Sequence, residues 1–292
     1  MKNYIKKIYL FLVAIILVLG GMLLHFQYAG WPVAEDVILA EENEGLSAIL
    51  NQVQMVVDES KKPPVLPDTE HQVPIVMYHY VRVVDKEKDA LGYNLSINPS
   101  GFEKQMKYLK DHGYTTIHLA DLLDKKVPKK AIVLVFDDGL EDFYTTALPI
   151  LQKYGFTASN AVITGMIGAH EHMSEAQLRE CVKAGIELLS HTVSHLDMSK
   201  LSKEELKKQL AESKAYLEKT FGVKVEGFVY PSGRYNELAV QMVKDEGYKI
   251  ATTTQYGEAN LEKNNMLLLP RVRIDNRDGY SGFVKKLEAI EK

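Results

Sequence analysis

From Val73 onward, apolar and polar positions follow two alternating periods. Short runs rich in Val and Ile occur at Val73–Tyr78, Ala131–Phe136, Ala158–Ile163, Ile186–Ser190, Gly227–Tyr230, Lys249–Thr252 and Met266–Leu269. Runs of this length and composition predict buried strands. Between them, apolar residues recur every three or four positions at Pro99–His112, Glu141–Tyr154, Ser174–Ala184, Ser202–Phe221, Glu237–Glu246 and Tyr280–Glu291. That spacing lines one face of a helix. Ser174 with Gln177, and Ser202 with Glu205, mark two helix starts, since hydroxyl and N3 side chain can satisfy each other's backbone N–H. Strand and helix in steady alternation predict an α/β fold with a parallel sheet, open or closed into a barrel. Chemistry in such folds gathers at the C-terminal ends of the strands, so the residues that end each run are the ones to read.

The pattern before residue 71 is different. Lys2, Lys6 and Lys7 precede an uncharged apolar run from Ile8 to Leu24. A secretory signal core needs ~7–15 apolar residues and a spanning helix ~17–25. Length therefore favours a transmembrane anchor over residues 1–30; a cleavable signal cut after Ala29 or Ala34 is the alternative. The lysines would stay in the cytoplasm and the remainder outside. This predicts a single-pass protein with its folded domain extracytoplasmic, or a secreted one if the segment is cleaved. Trp31 reads as an interfacial anchor. Leu46, Ile49, Leu50 and Val53 predict a stalk helix, and Pro63, Pro64 and Pro67 a stiff linker, within residues 31–70. The folded domain is expected over 71–292.

Charge and cysteine content narrow the class. The net charge is -4, with lysines interspersed among glutamates, which excludes a clustered basic surface for nucleic acid. Cys181 is the single cysteine, so no intrachain disulfide forms; its helical surroundings predict a small core residue. No protein partner is indicated.

Two strand ends carry the chemistry. Asp137 and Asp138 follow the apolar run that ends at Phe136 and precede Gly139. One carboxylate can ligate a cation while its neighbour accepts a proton; an ordinary helix cap and turn is the alternative. His191 and His195, four apart after another apolar run, point to one side if the segment is helical and can chelate one ion. Asp138, His191 and His195 together supply one oxygen and two nitrogens, leaving room for water, as catalytic divalent-metal sites do. Zn²⁺ suits that donor set, and Co²⁺, Ni²⁺ or Mn²⁺ are alternatives.

Val-Phe-Asp-Asp-Gly (135–139), Ser-His-Thr-Val-Ser-His (190–195) and Tyr-Pro-Ser-Gly (230–233), in that order, resemble the motifs of the NodB-homology polysaccharide deacetylases, carbohydrate esterase family 4. The resemblance implies a distorted (β/α) barrel with fewer than eight repeats. It implies Asp137 as general base, Asp138, His191 and His195 as metal ligands, and the backbone N–H of Ser232 as an oxyanion donor. The implied activity is removal of N-acetyl groups from an N-acetylated polysaccharide.

The departures from that pattern matter. Val229 and Ser232 stand where an arginine and a tyrosine are usual, and no histidine follows His195, where a late Leu-x-His motif normally supplies the general acid. His79, ending the first strand, is the candidate to replace it. The Pro-x-x-x-Tyr-His start at Pro74–His79 is similar to the subgroup that acts on poly-β-1,6-N-acetylglucosamine. His170 and His172 lie in an expected surface loop, and His112 and His118 read as structural. Arg271 follows a late apolar run and is expected to reach the pocket and orient Asp137, with a surface pair formed by Arg271 and Arg273 as the alternative. Tyr230 is expected to line the pocket. Peptidoglycan or chitin oligomers are the next substrates, and an inactive glycan-binding protein or a small-amide hydrolase are the readings from other classes.

Overall fold

The computed structural model describes residues 72–124 and 127–290. The chain divides into two units, Met1–Lys62 and Pro63–Lys292, and the described residues belong to the second. The expected membrane segment, stalk and linker lie outside them. No helix among the described residues is long and apolar enough to cross a membrane.

Among the described residues, seven parallel strands form a barrel in chain order: β1 (Ile75–Tyr78), β2 (Ala131–Phe136), β3 (Ser159–Val162), β4 (Glu187–Ser190), β5 (Gly227–Val229), β6 (Ile250–Tyr256) and β7 (Leu269–Arg273). Val272 pairs with Val76 and Ile75 with Val133, so β1 joins β7 to β2 and closes the ring. The short strand Thr115–Ile117 pairs with the first half of β2. The first five crossovers carry helices on the outside, α1 (Pro99–Asp111), α2 (Leu148–Tyr154), α3 (Glu175–Lys183), α4 (Lys203–Phe221) and α5 (Glu237–Asp245), and α6 (Gly279–Ile290) follows β7. Both capping boxes form, at Ser174 and Ser202.

Strand alternation sorts the core into two layers. Ile132, Leu134 and Phe136 face the helices, with Val76, Tyr78 and Phe228 beside them. Ala131, Val133 and Val135 face the barrel interior with Ile75, Leu189, Val229, Ile250 and Leu269. Side chains two apart share a face. Following each inward series past its strand brings His79, Asp137, His191 and Arg271 to one end of the barrel. Short, mostly apolar runs build the ring, and their parity aims its polar tips.

Three expectations change. The last strand is Leu269–Arg273 and not Met266–Leu269, because the interior accepts a paired arginine where apolarity alone places a loop. The helix expected from Glu141 contains a wide turn at Phe143–Ala147 before α2; Pro149 has no N–H to donate to the Thr145 carbonyl four residues back. Strand β6 runs past Thr252 to Tyr256 with an irregular register against β7. Cys181 is fully buried.

Candidate active site

The strand ends converge on two adjacent clusters. In the first, Asp137 is gripped by Arg271: Nη1 donates to Oδ1 at 2.7 Å and Nη2 to Oδ2 at 2.8 Å. Arg271 is fully buried and its Nε donates to the Thr253 carbonyl at 2.8 Å. That carbonyl lies in the irregular stretch of β6, a common device for re-aiming groups beside a site. His79 stands on the other side, Nε2 lying 3.8 Å from Asp137 Oδ2. Burial opposes charge on Asp137, but the Arg271 guanidinium and His79 outweigh it and hold the carboxyl below the usual range. Burial lowers the His79 pKa, although Asp137 and Asp138 pull it up. Arg273, by contrast, is partly exposed and reaches the Asn94 carbonyl and Asp275.

The second cluster is Asp138, His191 and His195. His191 Nε2 lies 3.4 Å and His195 Nε2 3.6 Å from Asp138 Oδ1, and one donor atom from each residue lies within 4.8 Å of the others. Asp138 Oδ1 is buried with no hydrogen-bond partner. A buried carboxylate oxygen is rarely left unpaired, and here both neighbouring nitrogens converge on it. His191 Nδ1 lies 2.7 Å from the Val229 carbonyl, which must accept, so Nδ1 carries the proton and Nε2 offers its lone pair. Burial again works against the Asp138 charge, yet His191 and the other histidines drive its pKa far down. His191 is itself raised, burial being outweighed by Asp138 and Asp137, whereas burial and His191 lower His195. The arrangement suits a divalent cation.

The local backbone explains how neighbours face one pocket. Asp138 takes a left-handed conformation, φ +76°, which turns it from the inward line of β2, and Gly139 follows at φ +73°. Of the helix or helical turn expected at His191–His195, the structure has a turn, with Thr192 at φ +67° and His195 at φ +54°. Gln209 of α4 accepts the Val193 and Ser194 amides, at 3.0 and 2.9 Å.

Comparison with known proteins identifies the family. A family model described as polysaccharide deacetylase matches residues 124–251. YxkH of Bacillus subtilis, named a polysaccharide deacetylase, is 33% identical over 225 residues, 75% of this chain and 77% of the relative. The chain belongs to the polysaccharide deacetylase family. The poly-β-1,6-N-acetyl-D-glucosamine N-deacetylase of Staphylococcus aureus is 30% identical over 217 residues, 68% of this chain and 74% of the relative. The Streptococcus pyogenes deacetylase PplD, solved in complex with acetate, superposes with a TM-score of 0.70 at 34% identity, covering 75% of this chain and 99% of that one.

In this deacetylase Ser232 sits on a tight turn directly after β5, exposed and at φ +53°. Gly233 behind it packs on the bulged stretch of β6: a Cβ there would lie 2.6 Å from the Thr254 backbone N. Tyr230 does not line the pocket. It is fully buried against Phe228 and Tyr235 in the layer outside the barrel, because its parity is that of Phe228. His112 stacks on Tyr108, and His118 bonds Thr157 and the Gly185 carbonyl. The His172 ring bonds the His170 carbonyl in the loop after β3. Two supporting residues escaped the sequence reading, Gln209 and Asp142. Asp142 Oδ2 accepts the Val81 N–H at 2.9 Å, tying the segment after His79 to the turn after Asp138. Gln209 has one signal, a carboxamide beside Leu206, Leu210 and Leu217 on one helical face, and Asp142, with Thr145 and Thr146 next to it along the helix, has none.

Proposed function

We propose that the chain is a divalent-metal-dependent N-deacetylase of poly-β-1,6-N-acetylglucosamine. The observation that carries the reading is the unpaired Asp138 Oδ1 facing two histidine nitrogens, beside a second aspartate gripped by a buried arginine. Asp138, His191 and His195 would hold the ion, with Zn²⁺ preferred and Co²⁺, Ni²⁺ or Mn²⁺ as substitutes. When bound, such an ion supplies Lewis acidity toward an amide carbonyl and toward water.

The chain's own residues do the rest. Asp137, oriented by Arg271, takes a proton from the attacking water. Burial leaves His79 unprotonated at rest, so the proton passes across the 3.8 Å gap from Asp137 to His79 and then to the departing amine. Water thus contributes hydroxyl to the acetate and a proton to the amine. The Ser232 N–H donates to the oxyanion. The substrate assignment draws on the S. aureus relative, which acts on this polymer, and on the supply of a histidine from β1 in a chain with none after His195. The acetate bound by the S. pyogenes relative is the co-product expected of such chemistry. The apolar run at residues 8–24 would tether the enzyme outside the cytoplasmic membrane, where such polymers lie.

The test is amine release from β-1,6-N-acetylglucosamine oligomers by the full-length chain, stripped of metal and then resupplied. Metal-dependent release is expected. Release from peptidoglycan or chitin oligomers alone would reject the polymer; tight metal binding without any turnover would leave a glycan-binding protein.

A further inference from the structure

The turn carrying His191 and His195 is held from behind by one side chain. Gln209 lies on the buried face of α4 with Leu206, Leu210, Ser213 and Leu217. A carboxamide there is costly unless bonded. Its Oε1 accepts two consecutive backbone amides, Val193 N at 3.0 Å and Ser194 N at 2.9 Å, and its Nε2 reaches Ser194 Oγ at 3.4 Å. Val193 and Ser194 lie between the two histidines.

The turn needs such a hold. Thr192 and His195, both non-glycine, adopt left-handed backbone, which persists only where the surroundings over-determine it. His191 has other support, from the end of β4 and from the Val229 carbonyl on Nδ1. His195 lies beyond the strand and is partly exposed, its amide donating to Thr192 Oγ1 at 2.9 Å. From the opposite side, Thr164 N and Gly165 N donate to the Thr192 and Val193 carbonyls at 3.1 and 2.9 Å. The loop after β3 thus takes the turn's carbonyls while Gln209 takes its N–H groups.

We propose that Gln209 is a positioning residue for the metal site: by gathering the Val193 and Ser194 amides on one oxygen, it sets the spacing of the His191 and His195 nitrogens and so the affinity for the cation. This rests on the metal-site reading above. A buried glutamine that merely fills the core would affect stability and leave affinity unchanged.

The experiment titrates metal-free, full-length protein with Co²⁺ alone in competition with a chromophoric chelator. Gln209→Met, of similar size but without acceptor or donor, should raise the Kd by about 10–100-fold. Gln209→Glu keeps an oxygen for both amides and should stay within about threefold of wild type. Should the Met variant fail to fold by circular dichroism, Gln209→Asn, with its amide drawn back by one methylene, carries the same expected loss. An unchanged Kd in the Met or Asn variant, or an equal loss in the Glu variant, overturns the inference. Wild-type protein that binds no Co²⁺ overturns the metal-site reading itself.

Discussion

Replacing Arg271 by Met isolates what the arginine does for Asp137. The substitution keeps an unbranched side chain of similar reach but removes the two charge-assisted hydrogen bonds of 2.7 and 2.8 Å, leaving a carboxylate whose side chain is 4% exposed. Breaking a buried ion pair from one side costs about 3–5 kcal/mol. Protonating Asp137 limits that loss: from an ordinary pKa near 3.9, taking up a proton at pH 7 costs about 4 kcal/mol. The two estimates agree, and the second fixes the pH dependence. In wild type the Asp137 pKa is depressed, so its stabilisation is present above the unfolded pKa and lost only as pH falls through the folded one. In Arg271→Met the folded pKa rises above the unfolded value, so stability falls as pH climbs through it. The deficit should therefore shrink from about 4 kcal/mol at pH 7 to about 1.5 kcal/mol at pH 5, over a pH-independent loss of about 1 kcal/mol from the Thr253 carbonyl. Urea denaturation in EDTA, followed by circular dichroism at both pH values, measures this. Adding Asp137→Asn to Arg271→Met should restore stability at pH 7 and flatten the pH dependence. A deficit equal at the two pH values, or a double variant weaker than the single one, would refute the reasoning.

Other perturbations address separate parts of the site. Asp137→Asn should lower turnover by about 10²–10⁴-fold with metal affinity nearly intact, checked by deacetylation kinetics beside chelator competition. His79→Ala should likewise depress kcat and spare metal binding; an unchanged rate would move the proton-delivery role elsewhere. Burial pushes Asp142 up to about 6, so its contribution is present below pH 4 and lost as pH rises through 6. Asp142→Asn, which keeps an acceptor for Val81, should remove a stability loss on the order of 2 kcal/mol between those limits in thermal melts. Gly233→Ala must place a Cβ 2.6 Å from the Thr254 backbone at φ +66°, and should cost about 1–3 kcal/mol of stability together with activity.

Local signals carried the fold a long way. Val-rich runs, helical periodicity and two capping boxes stand where strands and helices form, because in a parallel barrel nearly every strand residue is buried on one side or the other. The same uniform burial hid the limits of β7: Pro270 and Arg271 read as the end of an apolar run, while the interior holds Arg271 by pairing it with Asp137, the residue just after β2. Tyr230 was misplaced for a related reason, since its strand is short and only parity with Phe228 shows which way it faces. The two aspartates and two histidines were visible as clusters at strand ends. Gln209 and Asp142 were not, because what distinguishes them is the backbone they hold, and that contact exists only in three dimensions.

The pairing of Asp137 with Arg271 spans 134 positions of sequence, and β1 lies between the strands that bear them. Until β7 docks beside β1, Asp137 faces the barrel interior without its counter-ion. A chain that stops before Leu269 lacks Arg271, and with it the guanidinium that holds Asp137 as a poised proton acceptor. Competence for chemistry thus arrives with the last strand, so that completing the polypeptide and arming its reactive carboxylate are one event.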